Sequence, residues 1–398
     1  QAEAGVEDSA ARLAEDIRAK SKGTSDPVLR EAAAAAAGPA VTWLGERHGL
    51  PFELVDGFVY PGHTARRMHA MPERTGRALI DRLRTAAEGA GVMILTHAKA
   101  HTLYVEDGRA VAVGLTRPDG EEVVGCRVLV VATNGYGGNK AFVARYIPSL
   151  VDAVWFGHDG NDGLALLWGE ALGADLAHLS GHQGHGAVAH PHGILITWAT
   201  NSAGGFQVNG EGVRFHDETA GYSEAGAQVM AQPDGLAWSV FDGRIADIAR
   251  QFEDFRHAED VGAVLAADTP EALAERFGLP TAAFAATIEE TRRLAEAGET
   301  DGFGRTWSTP PLEAPFMAVK VTAALFHTQG GLRTDAHARV LKGGAPLPNI
   351  LAAGGAAVGV SGPDASGYLS GNGLLTAVAM GRTAGESAKR MVKGDRLD

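Results

Sequence analysis

The chain has 398 residues, 45% of them hydrophobic, and its formal net charge at pH 7 is −13. This length suffices for two domains with buried cores. No apolar run reaches the roughly 18 residues that a membrane-spanning helix needs. The acidic surplus disfavours nucleic acid as a partner, because phosphates require a basic surface. The single cysteine, Cys126, excludes an intrachain disulfide and is typical of a reducing compartment, so we expect a cytoplasmic location.

Capped helices and a short apolar strand open the chain. Ser9 and Asp26 are typical helix caps, and the periodicity of the apolar residues predicts helices over Ser9–Lys20, Asp26–His48 and Thr75–Gly91. The apolar run Val92–Thr96 then predicts a short buried strand.

A three-stranded antiparallel meander is predicted next. The turn dipeptides Asp107-Gly108 and Asp119-Gly120 separate Val- and Leu-rich runs, and Arg127–Ala132 predicts another buried strand. Helix, strand, meander and strand in this order are typical of the second half of a nucleotide-binding three-layer domain. We therefore predict an α/β (α+β) fold, with residues 1–150 in this first domain.

The composition changes at about Val151, where segments rich in His, Gly and Trp begin. Helices are predicted among them at Gly163–Leu172, Pro270–Phe277 and Thr281–Ala297. We interpret residues 151–316 as an inserted α+β cap domain that carries the substrate site. Residues 317–398 would return to the first domain.

Three glycine-rich turns are suited to a nucleotide or a flat polar ring. Val130–Gly135 is a strand running into the first turn, and Leu347–Gly355 is a strand running into the second. The third, Ser370–Leu375, opens a helix whose free backbone amides favour an anion or a ring carbonyl.

The order and spacing of these segments resemble the fumarate reductase/succinate dehydrogenase flavoprotein superfamily, which includes 3-ketosteroid dehydrogenase-like relatives. Gly160–Leu164 and Asn209–Glu218 resemble two further segments of that superfamily. The resemblance implies a Rossmann-like two-dinucleotide-binding fold and an FAD cofactor. It implies FAD contacts from Ala132, Thr133, Asn134, Gly135, Asp162, Gly354, Gly355, Ser370, Asn372, Gly373 and Leu374.

The amino-terminal strand, Gly-rich loop and helix with which the superfamily anchors the FAD diphosphate have no counterpart in this sequence. We expect the sequence to be part of a longer chain, because a sheet without that strand would expose an edge and apolar surface. The alternative is a flavin-free binding or structural homologue. A targeting segment and a covalent flavin link stay open for the same reason.

The resemblance also implies roles at the substrate. In the superfamily, two histidines and an arginine hold the substrate carboxylates, and a second arginine donates the proton. His182 and His327 fall on the histidine positions, while Tyr368 and Tyr222 stand where the arginines would be. Thr197 falls on a threonine that contacts substrate, and the proton-relay positions hold Trp198 and Asn201.

Tyrosine cannot form the bidentate carboxylate contact of arginine, so these replacements argue against a dicarboxylate. We predict catalytic roles for Tyr222, Tyr368, His327 and His182, and substrate contacts from Thr197 and Trp198. The expected reaction is dehydrogenation, or the reverse alkene reduction, next to the carbonyl of a largely neutral small molecule. A fumarate-like carboxylate reductase is the alternative, and the electron partner, the direction of reaction and the oligomeric state stay open.

Each nominated residue also has a structural interpretation. His182 would then be a surface histidine of the cap, and Tyr222 would only pack its core. A metal site is not predicted, because the spacing of the histidines matches no zinc pattern and no cysteine joins them. These histidines are His178, His182, His185, His190 and His192.

Overall fold

The computed structural model describes residues 1–55, 59–60, 62–395 and 397. They form two compact units. The first unit comprises residues 1–139, 158–182 and 327–398, and the second comprises residues 140–157 and 183–326.

The helices of the described residues are, in chain order, α1 (Ala10–Lys20), α2 (Pro27–His48), α3 (Gly76–Gly89), α4 (Lys140–Tyr146), α5 (Leu164–Leu172), α6 (Ala199–Ser202), α7 (Tyr222–Met230), α8 (Gly243–Ala249), α9 (Glu253–Asp260), α10 (Pro270–Phe277), α11 (Thr281–Ala297) and α12 (Asn372–Lys393). The predicted helices are confirmed to within a few residues. The caps act as expected, since Ser9 accepts a hydrogen bond from the amide of Arg12, and Asp26 accepts from the amides of Val28 and Leu29.

The strands are β1 (Glu53–Leu54), β2 (His69–Ala70), β3 (Lys99–Glu106), β4 (Arg109–Arg117), β5 (Gly120–Gly125), β6 (Leu129–Val131), β7 (Val154–Trp155), β8 (Leu176–Ala177), β9 (His182–Ala189), β10 (Ile194–Leu195), β11 (Phe206–Val208), β12 (Leu236–Asp242), β13 (Val264–Ala267), β14 (Phe316–Thr328), β15 (Gly331–Leu332), β16 (Arg339–Lys342) and β17 (Ala345–Ala352). The antiparallel meander β3-β4-β5 is confirmed.

In the first unit, β6 runs parallel to β17, with Val130 opposite Leu351, and β17 pairs antiparallel with β16. Parallel pairing brings the carboxyl ends of β6 and β17 to one edge of this sheet, where the first two glycine turns begin. Helices α1, α2 and α12 cover a core that includes Ile17, Ala33 and Leu369.

The helix over residues 164–172 packs in the first unit rather than with the predicted cap. Trp168 of α5 is buried in a core cluster with Val131, Val340 and Ile350. Each such buried large apolar side chain stabilises its core by about 1.5–3 kcal/mol. This burial explains why residues 158–182 group with the first unit.

The predicted buried strand Val92–Thr96 is wrong. Residues 92–95 have no regular secondary structure, and Met93 is 81% exposed. The apolar run satisfies the pattern of a strand, but a strand also needs a neighbour to hydrogen-bond with. Within the described ranges this run has none.

The second unit is built on a seven-stranded sheet. Its main path is β10-β9-β14-β12-β11, and β7 and β13 also pair with β14. Phe206 and Phe241 of this sheet are fully buried, as are Phe255 and Phe284 of the adjacent helices. This sheet positions the side chains of β9 and those of the residues that follow β10.

Among the described residues, none of the helices is both long enough and apolar enough to cross a bilayer. The same part of the chain holds no group of three or more His, Cys, Asp or Glu residues arranged to bind a metal ion.

Candidate active site

The start of α12 is a helix terminus without a side-chain cap, and the Asn372 amide donates to the carbonyl of Leu369 at 3.0 Å. Gly371 adopts φ +85°, which favours glycine, and the helix begins at Asn372. Ser370 and Asn372 are buried, whereas Leu374 is 67% exposed. The imidazole of His63 lies 2.9 Å from the carbonyl oxygen of Ser370. The polar residues predicted to contact the cofactor therefore surround the helix start.

A cavity of about 380 Å³ opens beside this helix start, and its wall includes Ser370, Gly371 and Asn372. Small-molecule sites usually have volumes of about 300–1,000 Å³. Arg67 also lines the cavity and is bonded to the carboxylates of Asp8 and Asp16. Burial raises the pKa of Asp8, but the hydrogen bonds from Arg67 and Gln1 outweigh it and hold that pKa well below its usual value.

The first two glycine turns pack against each other. Asn134 adopts φ +60°, and a side chain on Gly355 would place its Cβ 2.1 Å from the Asn134 amide oxygen. A Cβ on Gly135 would lie 2.0 Å from Thr328 Oγ1. The glycines are therefore required by contact within the protein itself.

The segment containing Asp162 meets the same turns. The amide of Gly163 donates to the carbonyl of Gly135 at 3.2 Å, and the Asn139 side chain donates to the carbonyl of Asp162 at 3.0 Å. Asn134, Gly135, Asp162 and Gly355 are thus brought together. The adjacent Thr133 hydroxyl is buried and has no hydrogen-bond partner among the described residues. An unsatisfied buried hydroxyl is unfavourable, so a bound group is expected to supply its partner.

His327 and Tyr368 form an edge-to-face pair in the first unit. Their ring centroids are 5.4 Å apart and their planes are at 68°. A Cβ on Gly373 would lie 2.8 Å from the His327 ring, so the imidazole packs directly on the first turn of α12. Burial lowers the pKa of His327 to about 4, with a smaller lowering from the charge of His182, although the hydrogen bond to the Thr328 carbonyl acts in the opposite direction. His327 is therefore neutral near pH 7.

His182 is buried rather than on the surface. Its Nδ1 donates to the carbonyl of Ser180 at 2.7 Å, because a carbonyl can only accept. Burial lowers its pKa below the usual value for histidine. The first unit therefore brings together His182, His327 and Tyr368, three of the four residues predicted to be catalytic.

The fourth, Tyr222, begins α7 in the second unit and stacks on His185. Their ring centroids are 5.2 Å apart, at an interplanar angle of 26°. The other face of the cluster is Phe326, stacked on His185 at 5.4 Å and 12°. Trp198 meets His185 edge-on at 5.6 Å and 88°. Tyr222 and Trp198 therefore share one ring cluster, centred on a residue to which we had assigned no role.

His185 is the functional candidate missed from the sequence. Burial alone lowers its pKa to about 3, so the imidazole is neutral. Its Nδ1 accepts from the amide of Ala187 at 3.1 Å, which places the proton on Nε2. The sequence did contain a signal for His185, because a glycine stands on either side of it. A Cβ on Gly184 would lie 2.8 Å from the Ser223 carbonyl, and one on Gly186 would lie 2.7 Å from Ala225 Cβ, so β9 can approach α7 only with glycine there.

The remaining predicted substrate contacts lie close by in the chain. Thr197 is half-buried, and its hydroxyl accepts weakly from the amide of Ala199 at 3.4 Å. The Trp198 indole donates to the carbonyl of Glu218 at 3.2 Å. Hydrogen bonds therefore fix the ring that packs on the edge of His185.

A buried ionic network lies behind Trp198. The Glu218 carboxylate is fully buried and accepts from Arg214 at 2.7 Å and from Arg305 at 2.8 Å. Burial raises the pKa of Glu218, and the two guanidinium groups more than reverse that effect. Arg214 also bonds Asp301 at 2.6 Å. Both arginines are therefore already satisfied by the protein's own carboxylates.

Comparison with known proteins identifies the family of the chain. The FAD binding domain family model matches residues 1–374. A probable fumarate reductase, Ifc3, of Shewanella frigidimarina is 29% identical over 97% of this chain and 65% of its own length. The chain spans 36% to 65% of the length of three such curated relatives.

Two solved structures are also similar. The open conformation of a flavocytochrome c3 fumarate reductase has a TM-score of 0.81 and 28% identity, covering 98% of this chain and 69% of that one. A 3-ketosteroid-Δ4-(5α)-dehydrogenase from Rhodococcus jostii RHA1 has a TM-score of 0.72 and 25% identity, covering 96% and 84%. The predicted resemblance and fold class are confirmed. The chain therefore belongs to the FAD binding domain family, and its cofactor is FAD.

Proposed function

We propose that this chain is the FAD-binding and substrate-binding part of an oxidoreductase acting on a carbon–carbon bond next to a carbonyl group. The substrate would be largely neutral, and the reaction either dehydrogenation or alkene reduction. The observation that carries this proposal is the stack of Tyr222 on neutral His185 at a position where the superfamily uses arginine.

The residues present fit FAD. Three features are suited to a polar ring system: the Thr133 hydroxyl, which has no partner among the described residues, the cavity beside Ser370, and the positive end of the α12 dipole. We infer that residues 132–135, Gly354, Gly355 and residues 370–374 would hold the cofactor. When bound, FAD supplies two-electron hydride chemistry.

The Tyr222 hydroxyl would move the proton at the carbon next to the carbonyl. A phenol has an ordinary pKa of about 10 and acts as an acid or a base only when correctly placed. Stacking on His185 places its ring, and His185 is itself fixed by the Ala187 amide and by Trp198. His185 would therefore be a positioning residue for Tyr222.

In the first unit, Tyr368 and His327 form a second pair of neutral groups, each able to donate a hydrogen bond to an oxygen of a bound molecule. Both are neutral donors under this proposal, because burial keeps His327 unprotonated. Neutral donors polarise a carbonyl without requiring a charged partner.

The state of the arginines supports a neutral substrate over a carboxylate. Arg67, Arg214 and Arg305 have little exposed side-chain surface, and each is already bonded to aspartate or glutamate. A substrate carboxylate would have to displace those partners. The names of several relatives nevertheless favour a carboxylate reductase, so this second candidate is kept for the test.

The test is to reduce the FAD-loaded protein under anaerobic conditions and mix it with 2-cyclohexenone or with fumarate. We expect the enone to reoxidise the flavin faster, as followed by flavin absorbance. Tyr104→Phe, at an exposed surface tyrosine on β3, is the matched control and should leave both rates unchanged. Faster reoxidation by fumarate would overturn the neutral-substrate proposal in favour of the second candidate.

A further inference from the structure

Asn201 is a buried amide that the described part of the chain leaves without hydrogen bonds. It is 1% exposed, and neither its Nδ2 nor its Oδ1 has a partner there. Its neighbours in α6 are satisfied, since the Thr200 hydroxyl donates to the Thr197 carbonyl at 2.9 Å and the Ser202 hydroxyl donates to the Trp198 carbonyl at 2.8 Å. An unmet buried polar atom costs about 1–3 kcal/mol, and Asn201 has two of them.

The position of Asn201 connects it to the ring cluster of the second unit. Its backbone amide donates to the carbonyl of Trp198 at 3.0 Å, so the two residues lie one helical turn apart. Trp198 packs edge-on against His185, which stacks on Tyr222. Asn201 therefore belongs to the same helical turn as Trp198, the residue that contacts the centre of this cluster.

A hydroxyl group would satisfy both atoms of the amide. It accepts one hydrogen bond from Nδ2 and donates one to Oδ1, whereas a carbonyl or a cation could satisfy only one of them. Buried amides that lack a protein partner are usually met by ordered water or by a ligand.

We propose that Asn201 is a binding site for one hydroxyl group inside the second unit. The bound hydroxyl group would belong either to an ordered water molecule or to the substrate. The water source is independent of the proposed function, while the substrate source rests on it.

The first experiment replaces Asn201 by leucine, which has a similar volume and no polar atoms, and measures the thermal unfolding midpoint without substrate. The matched control is Asn349→Leu. Asn349 is also buried, but its amide bonds Ala110 and Arg127. The control must lower the midpoint, because it breaks satisfied hydrogen bonds. If water occupies the site, Asn201→Leu should also lower it, by at least about 2 °C.

The second arm compares 4-hydroxy-2-cyclohexenone with 2-cyclohexenone. If the substrate hydroxyl is the occupant, Asn201→Leu should leave the midpoint unchanged or higher and remove a preference of about tenfold for the hydroxylated probe. A higher midpoint with an unchanged preference would overturn the proposal. Should the variant fail to fold, a crystal structure of the wild-type protein decides. An ordered oxygen within hydrogen-bond distance of both amide atoms supports the site, and an empty site in free and probe-soaked crystals refutes it.

Discussion

Each unit places a neutral histidine against a tyrosine, but the two pairs have different geometry. His327 and Tyr368 meet edge to face, whereas His185 and Tyr222 stack nearly parallel. In an edge-to-face pair, one ring directs its edge at the face of the other. In a stacked pair, the polar atoms of each ring point outward within the plane of that ring. The two rings therefore pack on each other and form their hydrogen bonds with other groups. The same two residue types thus form an edge-to-face pair in one unit and a stacked pair in the other, and the proposed function gives the two pairs different roles.

The largest expected effect comes from removing the hydroxyl of the stacked tyrosine. Tyr222→Phe keeps the ring on His185, so we expect FAD binding to be retained and turnover to fall by about 10²- to 10⁴-fold, the usual contribution of a proton-transfer group. Steady-state turnover and the flavin spectrum measure the two quantities. Turnover within tenfold of the wild type would show that the stacked pair is only structural. Tyr368→Phe would then test whether the tyrosine of the edge-to-face pair transfers the proton instead.

The second prediction concerns the support of the stacked pair. Glu218→Gln removes the charge that Arg214 and Arg305 share, so buried Arg305 loses its carboxylate partner while Arg214 keeps Asp301. We expect the free energy of unfolding to fall by about 3–5 kcal/mol in a denaturant titration. Glu211→Gln, at an exposed position of the same segment, is the control and should change little. A loss equal to that of the control would show that the network does not support the ring cluster.

The third prediction separates the two histidines by pH. Each has a folded-state pKa below its unfolded value of about 6.5, so the unfolded state takes up protons first as the pH falls. Their contribution to stability is complete above pH 6.5 and is lost toward the folded pKa, which is about 3 for His185 and about 4 for His327. For buried His185 the loss between pH 7 and pH 5 is about 2 kcal/mol.

Phenylalanine at either position should remove that histidine's share of the pH dependence. Denaturant titrations from pH 7 to pH 3 measure it as the difference between wild type and variant. Below pH 4 the difference should level off for His327→Phe and continue to grow for His185→Phe. Identical curves for the two variants would contradict the assignment of a deeper burial to the stacked pair.

The smallest effect tests the edge-to-face pair through its contact with α12. Gly373→Ala would bring a methyl group to 2.8 Å from the His327 ring and force the ring to move, whereas Gly381 of the same helix has open space around it. Alanine at an open helical glycine stabilises by about 0.4–1 kcal/mol. We expect Gly381→Ala to raise the thermal midpoint and Gly373→Ala to lower both the midpoint and turnover. Equal increases would mean that His327 moves at no cost.

Local patterns predicted the elements whose determinants are local. Ser9, Asp26 and the two Asp-Gly turns set helix starts and hairpins through bonds to near neighbours, and those elements are confirmed. Val92–Thr96 failed because a strand depends on a partner that local periodicity does not reveal. His185 was missed because the resemblance assigned only His182 and His327 to the substrate, and the packing of Gly184 and Gly186 against α7 became visible only in the structure.

The first two glycine turns pack against each other, and this contact limits the use of their glycines as evidence of cofactor binding. A side chain at Gly135 or at Gly355 would require Thr328 or Asn134, respectively, to move. Substitution at these positions is therefore disfavoured by contacts within the protein, apart from any demand of a cofactor. A descendant that lost flavin binding would be expected to keep both glycines, so their presence in a genome-derived sequence reports ancestry. The orphaned hydroxyl of Thr133 is free to diverge once no group needs it, and it is the better marker of a cofactor still in use.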